Sequence, residues 1–422
     1  MKLDIQKHYP YAIGGAIIVV SILVRIFSYP VISTDYVASL SHWMDALRGH
    51  PGLSAFQNPF SDYSPLYLYA LKGIALLPGY DLYWIKTLSL IFDIALASLA
   101  VLIVRQATAN RYGRGWYFAV VVSLPTIVIN SSMWGQNDSI YASFILLCLY
   151  FIMRDKPLHA AVSFGLAFSI KLQAMFFAPL LVGYFLYKRR ASWPCLFAIP
   201  VIYILTLLPA AAAGGSFLGL FFTYVRQAGE FKDLTLSAPS VFSFFSSSLP
   251  VILQGILSAI GYICAIVVAI FVIRAEAPRT VQRDTATKSA AEKMLCLALF
   301  SVLAIPFFLP HMHERYFYLA DALSVIVAFS IPRYWFLPML IVSASFFSYM
   351  PFLSPQVPLF SQSILPESVL GISMLAALIC LALIIRASYG SFTAILWPWK
   401  SSFETGSGTS MNSKNPDAHI SS

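Results

Sequence analysis

The chain has 422 residues, 59% of them hydrophobic and only 11% charged, with a mean hydropathy of +0.76. Soluble domains carry about 25% charged residues, so the composition excludes an ordinary soluble enzyme and points to an integral membrane protein. The net charge of +9 fits retention of Lys and Arg on the cytoplasmic side of a membrane, and no nucleic-acid partner is inferred from it.

In chain order, the apolar runs predict an all-α, polytopic membrane helix bundle. Spans are expected at 11–30, 84–105, 116–131, 137–153, 157–171, 172–187, 193–213, 249–274, 294–310, 315–331, 335–352 and 366–386. That is about twelve, within a range of about eleven to thirteen. The first run lacks a small-residue cleavage site and is expected to stay as an anchor. Residues 1–400 are read as one multispanning catalytic domain. Residues 401–422, rich in Ser, Gly, Asn and Thr, are read as a disordered cytoplasmic tail. The five cysteines all fall inside apolar runs with no CxxC pair, so no disulfide or metal framework is expected.

The basic clusters fix an orientation. Arg105/Arg111/Arg114, Arg154/Lys156, Lys188–Arg190, Arg274–Lys293, Arg333 and Arg386/Lys400/Lys414 fall on the side of Lys2 and Lys7. That side is cytoplasmic, with both termini, by the positive-inside rule. Three polar clusters then face outward, to a periplasm or an equivalent lumen: Asp35, Asp138 and His311–Arg315.

The first outer loop, 31–83, is too long for a simple connector. Its Asp35–Arg48 stretch has helical spacing, with Val37, Leu40, Met44 and Leu47 as an apolar stripe and Asp35, Ser39 and His42 on another face. Ser64-Pro65 reads as the start of a second helix lying on or dipping into the membrane surface. A second long outer loop, 214–248, contains a Ser/Phe-rich stretch (SVFSFFSSS) that reads as a flap over a lipid entrance.

Asp35 suits a general base toward an acceptor hydroxyl, or an N-terminal helix cap. Trp134-Gly135-Gln136-Asn137-Asp138 sits at an outer turn. Its amides and acid suit hydroxyl recognition, against the alternative of ordinary turn chemistry with an interfacial Trp. Lys171 and Gln173 lie between two short apolar runs. Lys171 is either a point charge for a phosphate or a snorkelling lysine. The HMHER string is the sharpest signal: His311, His313 and Arg315, with Glu314, suit a phosphate better than a metal, because no third strong ligand is evident. No cofactor is expected, a divalent metal included. Asp93 and Asp321 are single acids inside spans, suited to ion pairing within the bundle. An outward site without a cytoplasmic nucleotide-binding domain needs a donor already carried across the membrane, and a lipid-linked sugar phosphate meets that need.

At these residues the chain resembles the GT-C glycosyltransferases, which use polyprenyl-phosphate sugars. It is similar both to bacterial mannosyltransferase-like proteins related to the GPI-anchor second mannosyltransferase and to the dolichyl-phosphate-glucose glucosyltransferases of N-glycan assembly. The pieces are TDYVASLSHWMDAL (34–47) with DYSPLYLY (62–69), WGQNDSIYASFILLCLYF (134–151), FGLAFSIKLQAMFFAPLL (164–181) and HMHERYFYLAD (311–321). The resemblance implies a catalytic carboxylate at Asp35, and His311, His313 and Lys171 near the donor phosphate. It also implies inversion at the anomeric carbon without a required metal, and a bacterial inner membrane with the site on the periplasmic face.

The expected function is therefore transfer of a hexose, mannose or glucose, from a polyprenyl-phosphate donor to a hydroxyl of a lipid, glycan or protein acceptor. Asp35 is the base and His311, His313, Arg315 and Lys171 hold the phosphate. Trp134, Gln136, Asn137, Asp138, His42, Gln173 and Glu314 contact substrate. Two rivals are a secondary transporter, which would bind near the bilayer midplane, and an O-antigen-type polymerase or ligase.

Overall fold

A computed structural model describes residues 2–108, 114–230, 232–246, 248–275, 286–353 and 355–389. The expected tail at 401–422 lies outside the described residues. Among those described, regular structure is helical apart from one two-residue parallel pair, Thr235–Leu236 with Met312–His313. The protein is an all-α integral membrane bundle.

Every expected span has a helical counterpart, but fewer are long. Among the described residues, six helices are long and apolar enough to cross: Asp81–Thr108, Ala191–Ala212, Val251–Ala275, Ala290–Phe308, Pro332–Leu353 and Glu367–Ala387. A seventh is broken, Gly115–Val122 and Pro125–Trp134 meeting at 55°. The other five expected spans are short or have short apolar cores. Asp138–Met153 and Pro157–Ile170, at 16 and 14 residues, reach only about 24 and 21 Å, against a hydrocarbon core of about 30 Å. They are packed inside protein, where ends and non-helical backbone at membrane depth are tolerated. Against an expected eleven to thirteen spans, the described residues hold six full-length ones and one broken one, the remaining expected spans being short.

Burial sorts the helices into layers. Nearly every residue of Tyr318–Ser330 is buried, and Asp138–Met153 is almost as deep. Val251–Ala275 instead exposes Ile252, Ile256, Ile260, Ile263 and Ile266. A helix that is apolar on its exposed face is seated against lipid.

The first outer loop is helical, as its spacing requires. A five-residue π-helix, Tyr36–Leu40, runs into Ser41–Gly49. Tyr36, Leu40, Trp43, Met44 and Leu47 are buried, while Val37 is 58% exposed. The π turn inserts one residue, so the buried stripe starts at Tyr36 and the expected place of Val37 is lost. Pro65–Ala75 begins at its proline and buries Tyr67, Leu68, Leu71 and Ile74; it packs onto the bundle instead of lying over the surface. Lys72 closes the preceding helix by donating to the carbonyls of Leu47 (2.6 Å) and His50 (2.7 Å).

The first half of the Ser/Phe-rich stretch is anchored to the bundle. Its Val241–Phe244 turn packs on Glu367–Tyr389 and Val251–Ala275, with Phe242 2% exposed. A Cβ on Gly261 would lie 2.7 Å from the Phe242 ring and 2.4 Å from the Phe308 carbonyl. Small residues allow such close approach between membrane helices.

Candidate active site

The polar clusters converge. A cavity of about 210 Å³ is lined by Asp35, Ser39 and Trp43 of the first outer loop, Asp62, Tyr63 and Tyr67 before and within the next helix, Gly135–Asn137, Glu230, His313 and Arg315. Asp35 and Arg315, 280 positions apart, face each other at 3.5 Å.

Local backbone devices set each wall. Ser33 receives the Tyr36 amide at 3.3 Å and donates to the Trp134 carbonyl at 2.7 Å. Asp35 makes no side-chain cap bond. Its carboxylate instead accepts from Gln136 Nε2 at 2.5 Å and meets Arg315. The capping alternative for Asp35 thus gives way to a carboxylate held at the cavity. On the second wall, a π-helix over Ile129–Trp134 ends at Gly135, whose φ of +79° is left-handed. Glycine adopts that conformation without strain, and the reversal brings Gln136 and Asn137 to the cavity. Lys86 holds the neighbouring end of the first helix, donating to the carbonyls of Ser28, Tyr29 and Val31 at 2.7–3.1 Å.

The third wall is the HMHER string. The short parallel pair stitches Met312–His313 to Thr235–Leu236, and the His311 amide donates to the Leu234 carbonyl at 2.9 Å. His311 adopts φ +63°, and its Nδ1 lies 2.7 Å from the Asp233 carbonyl. His311 therefore fastens the second outer loop and is absent from the cavity lining. His313 and Arg315 do line it. Arg315 also bonds Glu314 at 2.9 Å and lies 5.4 Å over the Trp134 ring.

Several expected contact residues lie beneath the cavity. Lys171 is 3% exposed and pairs with Asp138 at 2.5 Å, while Asn130 donates to the other Asp138 oxygen at 2.9 Å. Lys171 is thus paired with a buried carboxylate, and neither it nor Asp138 is among the residues lining the cavity. Glu314 and Trp134 are fully buried and Gln173 nearly so; Trp134 packs edge-on to Tyr349 and stacks on Phe352. His42 is exposed and not among the lining residues, because the π turn shifts its helix face. Asp93 pairs with Arg25 at 2.8 Å within the bundle, and Asp321 accepts from Ser345 at 2.9 Å.

Trp43, Asp62, Tyr63, Tyr67 and Glu230 are additional lining residues. Asp62 was within reach of a sequence reading, as the acid of DYSPLYLY beside a helix start. Glu230 sits in a loop without periodicity and carried no signal. Burial raises the Asp62 carboxyl, and Glu230 is raised by burial and by the Asp62 charge. Burial, then the Arg315 charge, holds His313 below the ordinary histidine range, with Glu314 partly offsetting them. The cavity therefore combines an anionic side with a cation and a neutral imidazole. Among the described residues no group of three or more His, Cys, Asp or Glu side chains is arranged to hold a metal ion.

Comparison with known proteins agrees with this architecture. GPI mannosyltransferase 1 of Kluyveromyces lactis is 26% identical over 224 residues, which are 51% of this chain and 54% of that protein. The chain thus spans about half the length of this curated relative. The model of Glycosyltransferase family 87 matches residues 60–306, a stretch containing Asp62, Gln136, Lys171 and Glu230. Asp35 and Arg315 lie outside it and join the site through the fold. With more than half its length matched, the chain belongs to glycosyltransferase family 87.

Proposed function

We propose that this protein is a membrane glycosyltransferase that moves a hexose from a polyprenyl-phosphate sugar to an acceptor hydroxyl on the extracytoplasmic face, with inversion. The observation that carries the reading is the pairing of Asp35 with Arg315 and His313 in one cavity. Transfer needs a proton acceptor on one side of the anomeric carbon and a cation on the other. Asp35 takes the proton as the acceptor oxygen bonds to the anomeric carbon. The bond from that carbon to the phosphate oxygen breaks, and its electron pair leaves on the lipid phosphate. Arg315 and His313 receive the growing negative charge. Lys171 keeps Asp138 and the turn above it in place, and Gln136, Asn137 and Asp62 suit sugar hydroxyls. His311 fastens the loop that carries Glu230.

Without substrate, Arg315 neutralises Asp35. A donor phosphate competes for that guanidinium, so donor binding itself releases the carboxylate toward an acceptor. The similarity to a protein named as a mannosyltransferase favours mannose as donor sugar. The basic clusters support the outward face: Asp35, Gln136 and Arg315 lie at the opposite helix ends from Arg105, Arg154 and Arg386.

The test is incubation of purified protein with polyprenyl-phosphate mannose and, separately, glucose, following donor loss and product. One donor should be consumed. Asp35→Asn should slow transfer by about 10²–10⁴-fold while leaving the thermal transition in place. Full activity in that variant removes Asp35 from the role of base.

A further inference from the structure

A second cavity, about 80 Å³, lies beside the first, between the two long outer loops. Phe56, Asn58 and Phe60 wall one side, and Ser216, Thr223 and Arg226 the other. The segment 61–63 is the partition: Ser61 lines the second cavity, Asp62 the first, and Tyr63 both.

The two cavities differ in charge. Asp35, Asp62 and Glu230 line the first. None of the second cavity's lining residues is acidic, and Arg226 carries its charge. That guanidinium is steadied by the Gly219 carbonyl at 2.6 Å and Thr223 Oγ1 at 3.4 Å. Only some of its five N–H donors are used in those bonds. Phe56 and Phe60 meet edge to face at 5.4 Å. Rings beside an amide and hydroxyls suit a sugar, whose C–H face packs on the ring while its hydroxyls find polar partners. A cation with no acid among the side chains lining its own cavity adds preference for a negative group on that sugar.

We propose that this second cavity is the acceptor subsite and that it takes an anionic saccharide. The sugar packs on Phe60 and Tyr63, its phosphate or carboxylate meets Arg226, and its reactive hydroxyl passes Tyr63 toward Asp35. The assignment rests on the first cavity being the transfer site.

Three probes test it by direct binding to the purified full chain in lipid nanodiscs: methyl mannoside, its 6-phosphate, and methyl glucuronide. The charged probes should bind about tenfold tighter than the neutral one, the size of a charge-assisted contact. The tighter of the two identifies the negative group. Arg226→Gln should erase the preference, Arg226→Lys should keep part of it, and Phe60→Ala should weaken all three probes. Equal affinity for charged and neutral probes overturns the proposal. So does a preference that survives Arg226→Gln, because the anion then sits at Arg315. Donor consumption is followed on the same preparations. Anionic-probe binding at Arg226 without any donor consumption counts against the transferase reading and leaves an anionic-saccharide site that is no longer an acceptor subsite, whereas donor consumption without a charge preference overturns the subsite alone.

Discussion

Arg315 is the residue on which the site's charges meet: Asp35 at 3.5 Å, Glu314 at 2.9 Å and the Trp134 ring beneath. A planar fork reaches several partners at once, and a lysine ammonium does not. Arg315→Lys should therefore behave as a loss. It should cut turnover by about 10²–10³-fold, the usual cost of one transition-state charge stabiliser, and steady-state kinetics with a saturating acceptor measure it. The neighbouring imidazole gives the pH dependence. Burial and Arg315 hold His313 below the ordinary histidine range when the cavity is empty. A phosphate beside it raises that value, so donor binding takes up a proton. Donor affinity should rise as pH falls from neutrality, then level off below the empty-state pKa. His313→Gln should flatten that profile; an unchanged slope would separate His313 from the phosphate. The carboxylates work in the opposite sense. Asp62 and Glu230 are raised by burial, so the folded state binds their protons more tightly than the unfolded chain. Each adds stability as pH falls through its folded value and costs stability when ionised. Asp62→Asn should accordingly raise Tm at pH 7 and lower activity. A fall in Tm would mean that the charged form is stabilised by a partner.

The elements show which parts of the site could be read from sequence. Asp35, Gln136, Asn137, His313 and Arg315 were legible because polar residues at the mouths of apolar runs stand out against their background. Lys171, Asp138 and Glu314 were visible as charges, but no periodicity encodes that Lys171 and Asp138, 33 positions apart, pair with each other and Glu314 with the Arg315 side chain. His42 and Val37 were misplaced by a single π turn, because sequence periodicity assumes 3.6 residues per turn throughout. The anchoring of the 241–244 turn was hidden for the same kind of reason. Serine and phenylalanine describe an adaptable loop until Gly261 and Gly371 are seen to open room for it. A Cβ on Gly371 would lie 2.2 Å from Ser243 Oγ. Gly261→Ala should expel Phe242 and destabilise by about 1–3 kcal/mol, as overpacking does. Proteolysis within 230–246 should accelerate in that variant. Cleavage as slow as in the parent would mean that the turn is held from elsewhere.

Across the whole molecule, the question is how a bundle seated in lipid fixes a cavity at its mouth. Arg25 supplies the physical link. Its guanidinium joins Asp93, Ser131, Ser132 and the Val122 carbonyl, each at 2.8 Å. Those partners come from the long Asp81–Thr108 helix and from both halves of the broken span, so one buried side chain spans the 55° bend. Immediately beyond that bend the π-helix delivers Gln136 to Asp35. Removing one member of a buried pair leaves the other charge uncompensated and costs about 3–5 kcal/mol, whereas replacing both by apolar groups is often neutral or better. Asp93→Ala should therefore lower Tm sharply, and the Arg25→Met/Asp93→Leu double variant should recover most of the loss. Activity should not recover with it, because two apolar side chains fill the volume without holding Ser131, Ser132 and Val122 at the bend. A double variant that regained both Tm and turnover would show that packing alone fixes the turn, and that the buried charges are dispensable for the site.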